Sequence, residues 1–316
     1  MKAISKRYIC CILLKPTKSI SLLCCICMFL LFSCKKDNKP HTPPDTKLYP
    51  MSFNVSGFNQ TQVPIDGKGK IKTAALTTQA TDTVPVQRII YQLYTDEKYR
   101  KLISSRNSDK GSNNFGVFTD SVPPGNYVVS FGAGSLDLKV KTDYNYYYYT
   151  YFFGTPSYWD DTFFKSVPVK VTSSGINLNV SLDRVTAKLD LIIKDAIPAG
   201  TTKIAVSFPD LSCFDTILGT SGYPTTNGAV KTITGTDIGK TNYTISMNTF
   251  NNVKPFDVII NYYGSNPNGP LGTKTVKNVV CKHNTKTTLS GNLFTSGNSE
   301  FTITVNQDWN TSTIQF

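Results

Sequence analysis

Few side chains in this sequence are placed for catalysis. The chain has 2 His. His41 lies in a proline-bearing polar stretch. His283 follows Cys281 by two positions, but a Cys-x-His pair without a second ligand pair does not make a zinc site, so no metal is expected. "GTDIGKT" (Gly235 to Thr241) has three residues between its glycines. A phosphate-cradling loop needs four there and a helix after it. "WDD" (Trp159 to Asp161) offers adjacent carboxylates, but neighbours on a strand point to opposite faces. Glycoside hydrolysis needs two carboxyls facing each other across a bond, so these read as solvated loop acids. No G-x-S-x-G elbow is present. No catalytic residue and no cofactor are expected, and the chain does not read as an enzyme.

One cysteine has a clearer chemistry. Residues 1–33 open with Lys2, Lys6, Arg7, Lys15 and Lys18 and continue into the apolar run "SLLCCICMFLLFS" (Ser21 to Ser33). That run is short for a membrane span, which takes about 20 apolar residues, and it fits a secretory signal peptide. "LLFSCKKDN" then places Leu31, Phe32 and Ser33 directly before Cys34. This resembles the lipobox of bacterial lipoproteins. The resemblance implies that the Cys34 thiol is diacylated, the bond before it cut, and the new amine acylated, with palmitate-type chains anchoring the protein. The alternative is an ordinary signal peptide or uncleaved anchor with Cys34 an incidental thiol. Residues 34–48 carry Pro40, Pro43 and Pro44 and read as an extended tether with a reach of roughly 45 Å. Two or more acyl chains hold stably where one holds marginally.

Without residues 1–33 the charge is modest. The chain has 33 Lys+Arg and 21 Asp+Glu, and five basic residues leave with the signal peptide, giving 28 against 21, or +7. The lysines are scattered, so nucleic acid is not an expected partner. Of 8 cysteines, Cys213 and Cys281 alone remain free of the leader and the lipid site. An exported compartment permits a disulfide between them, and two buried thiols are the equal alternative.

The rest is patterned as strands. "RIIYQLY" (Arg88 to Tyr94), "INLNVSL" (Ile176 to Leu182), "NYTISMNTF" (Asn242 to Phe250) and "FDVIINYYG" (Phe256 to Gly264) are short, rich in β-branched and aromatic residues, and bounded by turn formers. "RVTAKLDLIIKD" (Arg184 to Asp195) alternates most cleanly, with Val185, Ala187, Leu189, Leu191 and Ile193 on one face. One short helix is predicted over Thr95–Ser105. The expected class is all-β, with two tandem β-sandwich domains, 49–172 and 173–316, dividing near "VTSSG" (Val171 to Gly175).

A lipobox cysteine, a proline-bearing tether and tandem β-sandwiches resemble the fimbrillin-associated anchor proteins of Bacteroidetes fimbriae. The residues that carry this are "SVPPGNYVVSFGAG" (Ser121 to Gly134), "VSLDRVTAKLDLIIKD" (Val180 to Asp195) and the ending "FTITVNQDWN" (Phe301 to Asn310). The resemblance implies transthyretin-like or immunoglobulin-like sandwiches, held in the outer membrane by Cys34 at the base of a fimbria. It implies fimbrillin-like subunits as partners, joined by β-strand addition. "DTV", "DSV" and "DTI" also resemble the acceptor of general O-glycosylation in Bacteroidetes, with sugar on Thr83, Ser121 and Thr216. A surface glycan-binding lipoprotein beside a polysaccharide importer is the second functional class. "DYNYYYYTYFF" (Asp143 to Phe153) bears on that choice. As a strand it is aromatic on both faces, which reads as packing between a core and a second layer more than as a sugar platform.

Overall fold

Alternating apolar and polar residues specify strands along most of the chain, and strands are what form. The computed structural model describes residues 47–59, 86–97, 100–143, 149–153, 160–252, 254–266, 269–295 and 301–306. The N-terminal strands are β1 (Tyr49–Asn59), β2 (Arg88–Thr95), β3 (Leu102–Asp109), β4 (Val117–Val122), β5 (Gly125–Gly134), β6 (Lys139–Asp143), β7 (Tyr149–Phe153), β8 (Phe163–Val171) and β9 (Ile176–Arg184). After them come β10 (Ala187–Ile193), β11 (Lys203–Asp215), β12 (Thr220–Thr232), β13 (Tyr243–Thr249), β14 (Phe256–Tyr263), β15 (Gly272–Val279), β16 (Lys286–Gly291) and β17 (Thr302–Asn306). The protein is all-β.

No helix occurs among the described residues. Where one was predicted, β2 and β3 form a hairpin, with Leu93 opposite Ser104 and Tyr94 opposite Leu102. Thr95 Oγ1 accepts the Lys101 N–H at 3.0 Å. Ladder partners outside the segment override its local helix propensity.

The first sheet has the order β3-β2-β5-β8-β9-β1-β4. β1 runs parallel to β9 and antiparallel to β4. The sheet curls over itself. β1 and β2 are four places apart in it, yet the Phe53 and Tyr91 rings lie 5.9 Å apart. Phe131 and Phe118 complete this buried aromatic cluster. The curl is fastened at its rim, where Arg106 of β3 donates to Thr119 O at 2.6 Å and to Asp120 at 2.9 Å, both on β4. β9 belongs to this sheet, and its Val180 and Leu182 enter the first core. The sequence pattern places this strand at the start of the second domain. The first core therefore runs on to Leu182, past the expected division at 172.

The second core lies between two sheets. One has the order β13-β10-β16-β17; the other runs β15-β14-β11-β7-β6, with β12 on the opposite edge of β11. Leu189, Leu191 and Ile193 of β10 face Ile204, Val206, Val258 and Ile260 across a single apolar cluster. The β6–β7 hairpin leaves the first sheet after β5, and the backbone of β7 pairs with β11, Phe152 opposite Phe214 and Tyr151 opposite Asp215. The described end of the aromatic run thus supplies a strand to the second module's sheet. Tyr144 to Tyr148 lie outside the described residues.

Both cores belong to one compact unit, Thr46–Phe316. Ile90, Leu138, Phe164, Val185, Phe214 and Phe250 form a third buried cluster that joins them. Each such side chain contributes about 1.5–3 kcal/mol by leaving water.

Candidate functional site

Two places bear on function: the joint between the cores, and the free edges of the sheets. The joint is built by the long β11–β12 hairpin, whose tip reaches the outer face of the first sheet. Ser130 donates to Thr216 O at 2.7 Å, and the Tyr94 and Thr216 hydroxyls are 3.3 Å apart. Arg100 donates to Ile217 O at 3.0 Å. The turn itself is shaped by Asp215, whose carboxylate accepts the Ile217 and Leu218 N–H groups. Burial raises the Asp215 pKa, and those two bonds pull against it.

A second contact locks the connection between β9 and β10. The Arg184 guanidinium grips Asp161 with Nε at 2.8 Å and Nη2 at 2.9 Å, and Nη1 donates to Asn284 at 3.1 Å. Its side chain is 1% exposed. Asp161 is therefore no solvated loop acid. Burial raises its pKa, while Arg184 lowers it. The sequence signal was weak: an arginine ending a strand, with its partner 23 residues earlier.

The edges differ in how they are guarded. Natural edge strands resist unwanted pairing with lysines, prolines and bulges. β15 carries Lys274, Lys277 and Asn278 at φ 57°, and its ladder with β14 has a bulge. β12 carries Pro224 and Lys231. β3 and β4 close on each other through Arg106. β13 has no charge, but its core-side Ile245, Met247 and Thr249 are buried.

β17 has none of these protections. Its sequence, "TITVN", is uncharged and high in strand propensity, and it ends its sheet among the described residues. Ile303 lies opposite Leu289, and Val305 opposite Thr287. Directly opposed residues share a face. Leu289 and Thr287 are each fully buried, so Ile303 and Val305 point to the core side of the sheet. Yet they are 39% and 44% exposed. The seat of this strand is well built. A Cβ on Gly291 would meet the Phe301 ring at 2.8 Å, so the missing side chain is what lets Phe301 settle there. Asp195 holds the preceding turn, accepting the N–H groups of Leu293, Phe294 and Thr295 and the Thr295 hydroxyl. Burial opposes ionisation of Asp195, but these four bonds keep its pKa below the usual carboxylate value.

Cys34 and Thr83 lie outside the described residues. Ser121 is exposed on β4. Thr216 is 0% exposed at the joint, so the folded chain has no room for a sugar on it. Cys213 and Cys281 are free, buried thiols. Cys213 donates to Gly222 O at 3.4 Å within the β11–β12 hairpin, and Cys281 lies in the second core. Burial pushes their pKa values to about 11 and about 12, which keeps both unreactive at neutral pH. The "GTDIGKT" stretch is a self-capped turn. Asp237 accepts from the Thr234 N–H and hydroxyl and pairs with Lys240 at 2.8 Å.

No family model matches the sequence, and no curated protein does. Solved structures do match. A candidate polysaccharide-binding protein from Bacteroides thetaiotaomicron aligns at TM-score 0.51 and 9% identity, over 82% of this chain and 96% of that one. A candidate adhesin from Bacteroides ovatus aligns at TM-score 0.50 and 12% identity, over 73% of this chain and 83% of that one. The chain shares their fold. The tip fimbrial protein Mfa3 from Porphyromonas gingivalis aligns more loosely, at TM-score 0.40 and 9% identity, over 81% of this chain and 99% of that one.

Proposed function

We propose that the protein is a structural subunit of a fimbria, held in the outer membrane by lipid on Cys34, and that β17 is the edge on which a neighbouring subunit lays a strand. The carrying observation is that β17 ends its sheet among the described residues. Ile303 and Val305 are turned to the core side and left half-covered on an uncharged strand. An incoming strand would pair along the edge of β17 by main-chain hydrogen bonds and place alternate apolar side chains beside those two residues. Such pairing gives affinity from the backbone and specificity from the side-chain pockets. The buried joint suits a load-bearing part, because tension between the membrane tether and the fimbria would pass through two modules that share an apolar cluster. Sugar on Ser121, on the outside of β4, is compatible with this role; intact mass of the native protein would reveal it, and a mass of peptide plus lipid alone would exclude it.

The test is isolation of the tagged protein from its host in mild detergent. Fimbrillin-like subunits should come with the native chain and be lost from the Ile303→Lys, Val305→Lys double variant. A second reading is favoured by a polar cleft of about 340 Å³ beside the β3–β4 turn, lined by Asn107, Ser112, Asn113 and Asn114. Three amides beside the charged Arg106 and Asp109 of the same cleft suit sugar hydroxyls, and one of the structural neighbours is named for polysaccharide binding. Retention on a polysaccharide column with no subunit in the isolate would favour that reading.

A further inference from the structure

The joint contains a polar side chain that the described protein groups leave unanswered. Gln92 is 1% exposed, and neither its Nε2 nor its Oε1 has a hydrogen-bond partner among the described residues. It sits in the middle of β2, on the face turned away from the first core, between Ile90 and Tyr94, which both belong to the joint. Strand register defines its surroundings. Ser105 of β3 lies opposite it on one side and Ser130 of β5 on the other, and Ser166 of β8 lies opposite Ser130. Opposed residues share a face, so Ser105, Gln92, Ser130 and Ser166 form one polar row across four strands. The tip of the β11–β12 hairpin closes over this row, where Ser130 donates to Thr216 O. The row does not end in the dark: Ser105 is exposed and Ser166 half-buried.

A buried primary amide carries two donors and two acceptor lone pairs. Leaving all of them unmet is costly, and buried polar atoms in folded proteins find a protein group or an ordered water. We propose that the seat beneath the hairpin tip is an internal hydration site, with at least one ordered water held by the Gln92 amide and reached along the serine row from the Ser105 end. Water is the ligand that fits. It can donate and accept at once, it is small enough for a closed joint, and hydroxyls beside the amide supply the two to four polar partners that an internal water takes. The joint is then a mixed contact: the apolar cluster around Phe164 and Phe214 stays dry, and the band around Gln92 is wet.

A crystal structure of the mature chain at near-atomic resolution tests this. An ordered water within about 3.2 Å of Gln92 Nε2 or Oε1 is expected. An amide bonded to a protein group instead, or surrounded by apolar atoms with no water density, would overturn the proposal. Gln92→Met, which keeps the length and removes the amide, should lose that water; a water that stays in the variant would show that Gln92 does not hold it. Should the variant fail to fold, the native protein still decides. Cross-relaxation between the Gln92 side-chain amide protons and a long-lived water should appear in its NMR spectrum, and its absence would count against the site.

Discussion

The two modules answer the same problem in opposite ways. Both are built from short alternating strands, and both must deal with sheet edges that would pair with anything extended. The first module curls one sheet until its outer strands meet, and Arg106 ties β3 to β4 across the rim. The second module stacks two separate sheets. Among the described residues its edges carry lysines, a proline or a buried flank, except at β17, where Ile303 and Val305 stand half-covered. The difference lies in closure, since the chemistry of the strands is alike. One module ties its outer strands together, and the other ends a sheet, among the described residues, on an uncharged strand.

Breaking the connection between the modules should have the largest effect. Arg184→Met leaves the Asp161 carboxylate in its part-buried position without its cation, at a cost of about 3–5 kcal/mol in chemical denaturation. Adding Asp161→Leu should recover much of the loss, and a purely additive double variant would show that the pair is not a unit. Next comes the seat of the open edge. Gly291→Val drives a side chain into Phe301 and should cost about 1–3 kcal/mol, with faster hydrogen exchange confined to β16 and β17. The rim of the closed module is worth less. Arg106→Ala should cost about 1 kcal/mol, because the Arg106 side chain is 43% exposed and its bonds compete with water. If the roll depends on that rim, hydrogen exchange should quicken along β3 and β4 and nowhere in the second module.

The open edge itself should contribute least to the isolated fold. Ile303→Lys with Val305→Lys should move stability by no more than about 0.5 kcal/mol per site, since both residues are already wet. A loss of several kcal/mol would mean that this face is covered, and that the contrast between the modules is wrong. Acid sharpens the same point. The pKa of Asp195 is lowered in the folded chain, so its contribution is complete above the unfolded carboxylate value of about 3.9. That contribution fades as pH falls through the lower folded value. Below about pH 4 exchange in β17 should therefore rise, and Asp195→Asn should remove that pH dependence.

The sequence carried the strands better than it carried their grouping. β10 was legible because Leu189, Leu191 and Ile193 alternate without a break. The stretch over Thr95–Ser105 was misleading because its charges suit a helix, while the partners that make it a hairpin, such as Leu93 for Ser104, lie on another segment. Nothing local in "INLNVSL" says that β9 will lie parallel to β1, more than a hundred residues earlier in the chain. Thr216 looked like a surface acceptor because a tripeptide holds no information about the sheet that will bury it. The β17 edge was half visible. "FTITV" reads as an uncharged strand, but its exposure depends on which strand ends the sheet, and only the folded order of β13, β10, β16 and β17 decides that.

The central claim is that β17 receives a strand from a neighbouring subunit. A photo-cross-linking residue at position 305 of the full-length chain, activated in intact host cells, tests it most directly. The account predicts a covalent adduct with an extended segment of a fimbrial subunit, and no such adduct from a control at position 107 in the polar cleft. Cross-linking from position 107 to a surface partner, with none from position 305, would contradict it.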